Sequence, residues 1–194
     1  FLPNSKLNFA ENLLSKNNKN KAITFVSENG FREERSWYEL NINVSKISKF
    51  LKSIKIKKKD RVAAYMPNTI ETIEAFIASS SLGAIWSSCS PDFGVKGVVE
   101  RFSQISPKVL FVVDKYFYNG KIINILERVP LILKEIPSIE YVVIVNYPGE
   151  KYLENKYTSK KSKVLKWSEL MKQESEKIQF PKFDFEQDLA ILYS

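Results

Sequence analysis

At 194 residues with 44% hydrophobic side chains, the chain is long enough to bury a substantial core, and 13% aromatics set it apart from disordered polymers. With no histidine and one cysteine, these residues exclude a Ser-His-Asp triad, a Cys-His pair, a histidine-dependent zinc site and an internal disulfide. The net charge of +8 comes almost wholly from lysine, so polyanion binding has to be weighed, yet Arg32, Arg35, Arg61, Arg101 and Arg128 are few arginines for a base-reading surface.

Asn8 with Glu11 three residues later is a capping-box pattern that opens a short helix through Leu14. AITFV (22–26) is predicted as a strand, turned back at Glu28-Asn29-Gly30 into FREERSW. Ser36 and Glu39 form a second capping box, after which Leu40, Val44, Ile47, Leu51 and Ile54 repeat at helical spacing. The lysine cluster KIKKKD (55–60) reads either as a solvated loop or as a patch for an acidic partner. VAAYM is a short buried strand, and Asn68 with Glu71 is expected to cap a helix whose Ile70, Ile73, Phe76 and Ile77 face inward, ending near Gly83.

Ala84 to Ser88 is predicted as another strand inside the stretch GAIWSSCSPDFG (83–94), whose second half is a loop. Val95, Val98, Val99, Phe102 and Ile105 mark a helix stopped before Pro107. VLFVV is a strand, KIINILERV a helix and YVVIV a strand ending at Asn146-Tyr147-Pro148-Gly149; Pro130 would break or kink a helix continued to Ile136. Residues 150–166 are expected to be a variable lysine-rich surface tract, Trp167 to Ile178 a final amphipathic helix, and DLAILYS a last strand.

Short apolar strands separated by amphipathic helices imply an α/β fold, a mostly parallel sheet flanked by helices. In such sheets ligands bind outside the carboxyl ends of the strands, where both SPDFG and YFYNGK (116–121) would lie. The longest apolar runs, such as VLFVV, are far shorter than the roughly 20 residues of a membrane helix, and the amino terminus lacks the layout of a secretory signal. The expectation is a cytoplasmic protein without a membrane span.

LNFAENLL, DRVAAYMPN, GAIWSSCSPDFG and RFSQISPKVLFVVDKYFYNGK, in that order, resemble successive blocks of the acetoacetyl-CoA synthetases, a family within the adenylate-forming (AMP-binding) superfamily. DRVAAYMPN is general to the superfamily, whereas WSSCSPDFG and DKYFYNGK carry the narrower likeness. The likeness runs over essentially the whole chain and is weakest over 150–180. It implies that residues 1–194 are the N-terminal portion of the large N-terminal domain of an adenylate-forming enzyme. DLAILYS would stop at Ser194 on the threshold of a Ser/Thr/Gly-rich phosphate loop, and an N-terminal cap segment would precede FLPNSK.

The implied reaction joins acetoacetate to coenzyme A at the expense of ATP, through an acyl-adenylate, with release of diphosphate and AMP; its setting is lipid and ketone-body metabolism. The catalytic residues and the ligands of Mg2+ would lie downstream of Ser194, leaving this piece inactive alone. In the related acetyl-CoA synthetases a Gly-Gly-Phe turn touches coenzyme A, and the resemblance puts it on Pro91, Asp92 and Phe93. A pair of cofactor-binding arginines falls on Tyr118 and Lys121, so only Lys121 keeps a charge, as a point cation. Asn119 and Gly120 would shape that turn, which also reads simply as the turn opening a helix.

Asp92 equally reads as the N-cap of the following helix, Trp86 as core and Cys89 as a buried packing residue rather than a nucleophile. Tyr193 and Ser194 would begin the ATP-binding segment. Two alternatives stand beside this reading: another short-chain acyl-CoA synthetase, for acetate or propionate, and a lysine-rich module binding nucleic acid or acidic surfaces. The first reading takes small-molecule partners and no nucleic acid.

Overall fold

The computed structural model describes residues 4–151, 153, 159 and 161–193. Near the amino end, β1 (Lys6–Leu7) leads into α1 (Phe9–Leu13), capped by the Asn8 carboxamide, which accepts from the amides of Ala10 and Glu11. The hairpin of β2 (Lys21–Val26) and β3 (Arg32–Ser36) follows. Helix α2 (Trp37–Ser53) starts at the predicted Ser36/Glu39 capping box, with Leu40, Val44, Ile47 and Leu51 buried.

The alternating part comprises β4 (Arg61–Tyr65), α3 (Ile70–Ser81), β5 (Ile85–Cys89), α4 (Val95–Ile105) and β6 (Val109–Val113). A second hairpin, β7 (Lys115–Tyr118) and β8 (Lys121–Asn124), precedes α5 (Val129–Glu135). The chain then forms β9 (Tyr141–Val145), β10 (Lys163–Lys166), the one-turn α6 (Trp167–Leu170) and β11 (Phe183–Asp184), which pairs with β1.

Among the described residues the main sheet is five-stranded, in the order β10-β9-β6-β4-β5, and every pairing within it is parallel. From β4 the chain steps one way to β5, then back across β4 to β6 and on to β9. Right-handed crossovers therefore put α3 on one face and α4 and α5 on the other. The loops leaving β4 and β5 diverge to opposite faces, which makes the carboxyl ends of these two strands the topological switch point. Strand burial agrees with a sheet covered on both faces: Val109 to Val113 are all at 0% exposure.

Several sequence expectations are corrected. Lys121–Asn124 is a strand, not the start of a helix, because Asn119 and Gly120 both have positive φ (48° and 72°), the geometry of a two-residue hairpin turn. Pro130 lies in the first turn of α5, where a missing amide costs nothing. The N-cap of α3 is Thr69 rather than Asn68, and Ile73 points to solvent at 36% exposure because α3 turns Glu71 and Glu74 inward.

Residues 171–178 do not continue a helix: they strap across α2, where Ser45 Oγ accepts from the Glu176 amide (2.9 Å) and Lys46 Nζ donates to the Met171 carbonyl (2.8 Å). The far end of the lysine-rich tract is an edge strand, β10, and the DLAILY segment touches β5 through one parallel bridge, Trp86 to Ala190.

Gly83, at the exit of α3, has φ of +70°, and a Cβ there would sit 2.5 Å from the Phe183 ring. Gly83→Ala is expected to lower stability by about 1–3 kcal/mol in urea unfolding, from positive-φ strain plus displacement of that ring.

Candidate functional site

At the switch point, Tyr65 closes β4 as a fully buried side chain. Its hydroxyl is directed at the carbonyl oxygens of Pro91 (3.1 Å) and Phe93 (2.5 Å) in the loop that leaves β5. Arg128, from the 3-10 turn Leu126–Arg128, reaches the same place from the hairpin side. Its Nη1 donates to Tyr65 Oη (2.6 Å), the Pro91 carbonyl (2.9 Å) and the Phe93 carbonyl (3.2 Å). Two carbonyls, a phenol and a guanidinium nitrogen thus fix the path of 91–93. Burial raises the Tyr65 phenol, against the pull of the Arg128 charge.

Within that loop Ser90 Oγ donates to Asp92 Oδ2 (2.8 Å), and the Asp92 amide donates to Ser90 Oγ (3.3 Å). The N-cap of α4 is Gly94, without a side-chain cap, so Asp92 does not take the capping role open to it in the sequence. Its carboxylate instead faces Tyr116 at the base of the second hairpin: burial, then a hydrogen bond to Asp92, pushes the Tyr116 phenol up to about 12. The two loops expected at one sheet edge therefore meet, through Asp92 and Tyr116.

That hairpin hangs from Asp114, fully buried just after β6. Asp114 Oδ1 accepts from the amides of Lys115 (2.8 Å) and Tyr147 (2.9 Å), and Oδ2 from the amide of Leu153 (3.1 Å). Burial pushes this carboxyl up, with the backbone amides and the Lys115 charge opposing. Tyr118, Asn119, Gly120 and Lys121 form the exposed tip; the Tyr118 ring lies 6.4 Å from that of Tyr116, and no hydrogen bond joins the tip to 91–93 among the described residues.

On the other side of the loop, the Arg101 guanidinium of α4 stacks on Phe93 at 4.2 Å and lies 5.9 Å from the Tyr193 ring. Tyr193 Oη donates to the Arg101 carbonyl at 2.6 Å. Pro91, Asp92, Phe93 and Tyr193 are thereby brought into one neighbourhood; Ser194 lies outside the described residues. Cys89 is buried, and desolvation raises its thiol, which argues against a nucleophile. Trp86 is core, with its ring 5.8 Å from Phe76 and 6.3 Å from Phe111.

Sequence reading missed Tyr65, Arg101 and Arg128. One signal was available. In a chain that uses lysine for most of its solvated charge, an arginine away from the open surface marks a place where fork geometry is needed. Arg35 holds Glu74 and Glu33, and Arg61 holds the carbonyls that end α4, Ile105 at 2.5 Å and Ser106 at 3.3 Å. Arg101 and Arg128 flank the 91–93 loop, and neither has a carboxylate within 4 Å among the described residues.

The lysine cluster sits elsewhere. Lys49, Lys52, Lys57, Lys58 and Lys177 line a groove of about 820 Å³ beside the amino end of β4, at the opposite edge of the sheet from the switch point. The loops singled out above do not reach this groove. Among the described residues no group of three or more carboxylate or cysteine side chains could hold a metal ion, and no helix is long and apolar enough to cross a membrane. With two guanidinium groups that no carboxylate neutralises within 4 Å among the described residues, and no activated nucleophile, the carboxyl edge is suited to holding anions rather than attacking them.

Comparison with known proteins gives a concordant picture. The family described as AMP-binding enzyme matches residues 12–192. The acetoacetyl-coenzyme A synthetase of Rhizobium meliloti is 45% identical over 150 residues, covering 77% of this chain and 23% of that protein. A malonamoyl-CoA synthetase of Penicillium aethiopicum is 36% identical over 200 residues, covering 98% of this chain and 28% of its own length. The solved structure of acetoacetyl-CoA synthetase from Streptomyces lividans superposes with a TM-score of 0.88 at 29% identity, covering 100% of this chain and 29% of that one. The chain thus spans between a fifth and a third of the length of these relatives.

Proposed function

Because the chain belongs to the AMP-binding enzyme family, we propose that the protein carrying it is an ATP-dependent acetoacetate–CoA ligase. The carboxylate of acetoacetate attacks the α-phosphorus of ATP, forming the acyl-adenylate and releasing diphosphate. The thiol of coenzyme A then attacks the activated carbonyl, forming the thioester and expelling AMP. Both steps bring anions together, so positioning and charge neutralisation outweigh any protein nucleophile. We place this enzyme in the cytoplasm. Magnesium accompanies ATP, with its ligands outside the described residues.

The observation that carries this reading is convergence. The 91–93 loop, the base of the second hairpin and the Tyr193 segment gather at one carboxyl edge, through the Asp92–Tyr116 and Phe93–Arg101–Tyr193 contacts. In this arrangement coenzyme A lies along 91–93 and the hairpin tip, where Lys121 offers a point cation and Asn119 and Gly120 hold it clear of the sheet. Tyr193 and Ser194 lead toward the phosphates of ATP.

The test is acid-dependent ATP–diphosphate exchange and CoA-dependent AMP release by the complete protein, with acetoacetate compared against acetate and propionate. Acetoacetate is expected to give the highest kcat/KM. Preference for acetate or propionate would shift the assignment to another short-chain synthetase, and exchange with none of the acids would overturn it. Lys121→Ala is expected to raise the KM for coenzyme A about tenfold, the weight of one charge-assisted contact, with exchange nearly intact. Equal loss in both half-reactions would remove Lys121 from the cofactor site.

A further inference from the structure

We propose that Arg128 is a positioning residue for the thioester-forming half-reaction, acting by fixing the backbone of 91–93 against which coenzyme A is placed. The inference rests on the functional reading above. Its geometry is independent of that reading. A single nitrogen, Nη1, spans three acceptors: the Tyr65 phenol at 2.6 Å and the carbonyls of Pro91 and Phe93 at 2.9 and 3.2 Å.

Tyr65 is locked at the end of a central strand, so the guanidinium ties the loop to the most rigid part of the sheet. Pulling these two carbonyls inward leaves the side chains of Asp92 and Phe93 on the outer side, while Pro91 is buried. No hydrogen bond to Nη2 or Nε of Arg128 is formed among the described residues, and these N–H groups lie beside the loop without a carboxylate within 4 Å. Arg128 stands ten residues beyond Tyr118 and puts its guanidinium at the base of the 91–93 loop rather than at the hairpin tip.

A lysine could not do the same. An ammonium carries its donors on one atom and has no second edge once that atom has engaged the carbonyls. Asp92, turned toward Tyr116 and Ser90, is the nearby carboxylate that the arrangement keeps away from the guanidinium.

The experiment uses the complete protein with Arg128→Gln, Arg128→Lys and Tyr65→Phe. Backbone amide exchange is followed by mass spectrometry, and the two half-reactions are assayed separately. Arg128→Gln is expected to speed exchange of the 90–94 amides while β4 and β6 keep their protection. It should raise the KM for coenzyme A at least tenfold, with ATP–diphosphate exchange within twofold of wild type. Arg128→Lys should fall between, and Tyr65→Phe should loosen the loop less, because Arg128 keeps both carbonyls.

Unchanged amide exchange at 90–94, or an unchanged KM for coenzyme A in both Arg128 variants, overturns the role of Arg128 alone. Parallel loss of both half-reactions overturns it too, by reducing Arg128 to a folding residue. Absence of acid-dependent exchange in the wild-type protein instead sinks the functional reading, and the coenzyme A part of this inference with it.

Discussion

Asp114→Ala is expected to destabilise the protein by about 3–5 kcal/mol, because three backbone N–H groups, two of them buried and one half-buried, lose their acceptor at once. The carboxylate divides them between two oxygens: Lys115 and Tyr147 on Oδ1, Leu153 on Oδ2. Asparagine keeps Oδ1 and places an amide donor where Oδ2 stood, so it faces the Leu153 N–H with a second donor. Asp114→Asn should then cost roughly half as much, about 1–3 kcal/mol. Urea unfolding of both variants measures the difference. Equal losses would show that the side chain matters only as bulk. Since the second hairpin begins at Asp114, the alanine variant should also loosen Tyr116 from Asp92, which links a stability defect to the shape of the candidate site.

The second large effect concerns pH. Glu74 on α3 is at 0% exposure; Arg35 Nε (3.1 Å) and Asn43 Nδ2 (2.9 Å) donate to its Oε1, while Oε2 has no partner. Burial pushes its carboxyl up to about 8, with the Asn43 amide and the Arg35 charge opposing and the Glu71 carboxyl reinforcing the rise. Between the ordinary value of 4.5 and about 8 the folded state holds a proton that the unfolded state has released. This contribution is fully present below 4.5 and is lost as pH rises through 8. Glu74→Gln keeps the shape and the bonds to Oε1 and removes the titration. The variant should gain on wild type by about 2–4 kcal/mol between pH 5 and pH 8 in parallel urea titrations. A constant difference across that range would mean that Glu74 is ionised in the fold throughout.

Much of the fold was legible in the sequence because its signals are local. The Ser36/Glu39 box starts α2 as written, and the apolar runs VLFVV and YVVIV became the central strands β6 and β9. The failures came where distant contacts decide. Ile122, Ile125 and Leu126 fit a helical stripe, but the Asn119-Gly120 turn and the pairing with β7 win. Met171 to Ile178 would suit a helix, yet Ser45 and Lys46 on α2 hold that backbone as a strap. On α3, Ile70, Phe76 and Ile77 face the core as expected, and Ile73 alone does not, because Glu71 and Glu74 look like surface residues until Arg35, some 40 positions away, is seen to face Glu74.

The candidate site divides in the same way. SPDFG was visible as an unusual loop, and the strand preceding it as one whose end opens on a crevice. What grips the loop was not visible, because Tyr65 and Arg128 lie 63 residues apart and carry no shared motif. The pairing is made by the sheet order, which sets β4 between β5 and β6 and so brings the residues after all three strands to one rim.

The clasp on 91–93 is made from an arginine and a phenol raised above its usual range, with a second phenol at about 12 beside it. Both phenols are shifted upward, Tyr65 and Tyr116 alike, so acidification of the surroundings leaves their contacts with the loop in place. Acid sensitivity of this rim enters from beneath it, through the Asp114 carboxyl that burial raises and from which the second hairpin hangs.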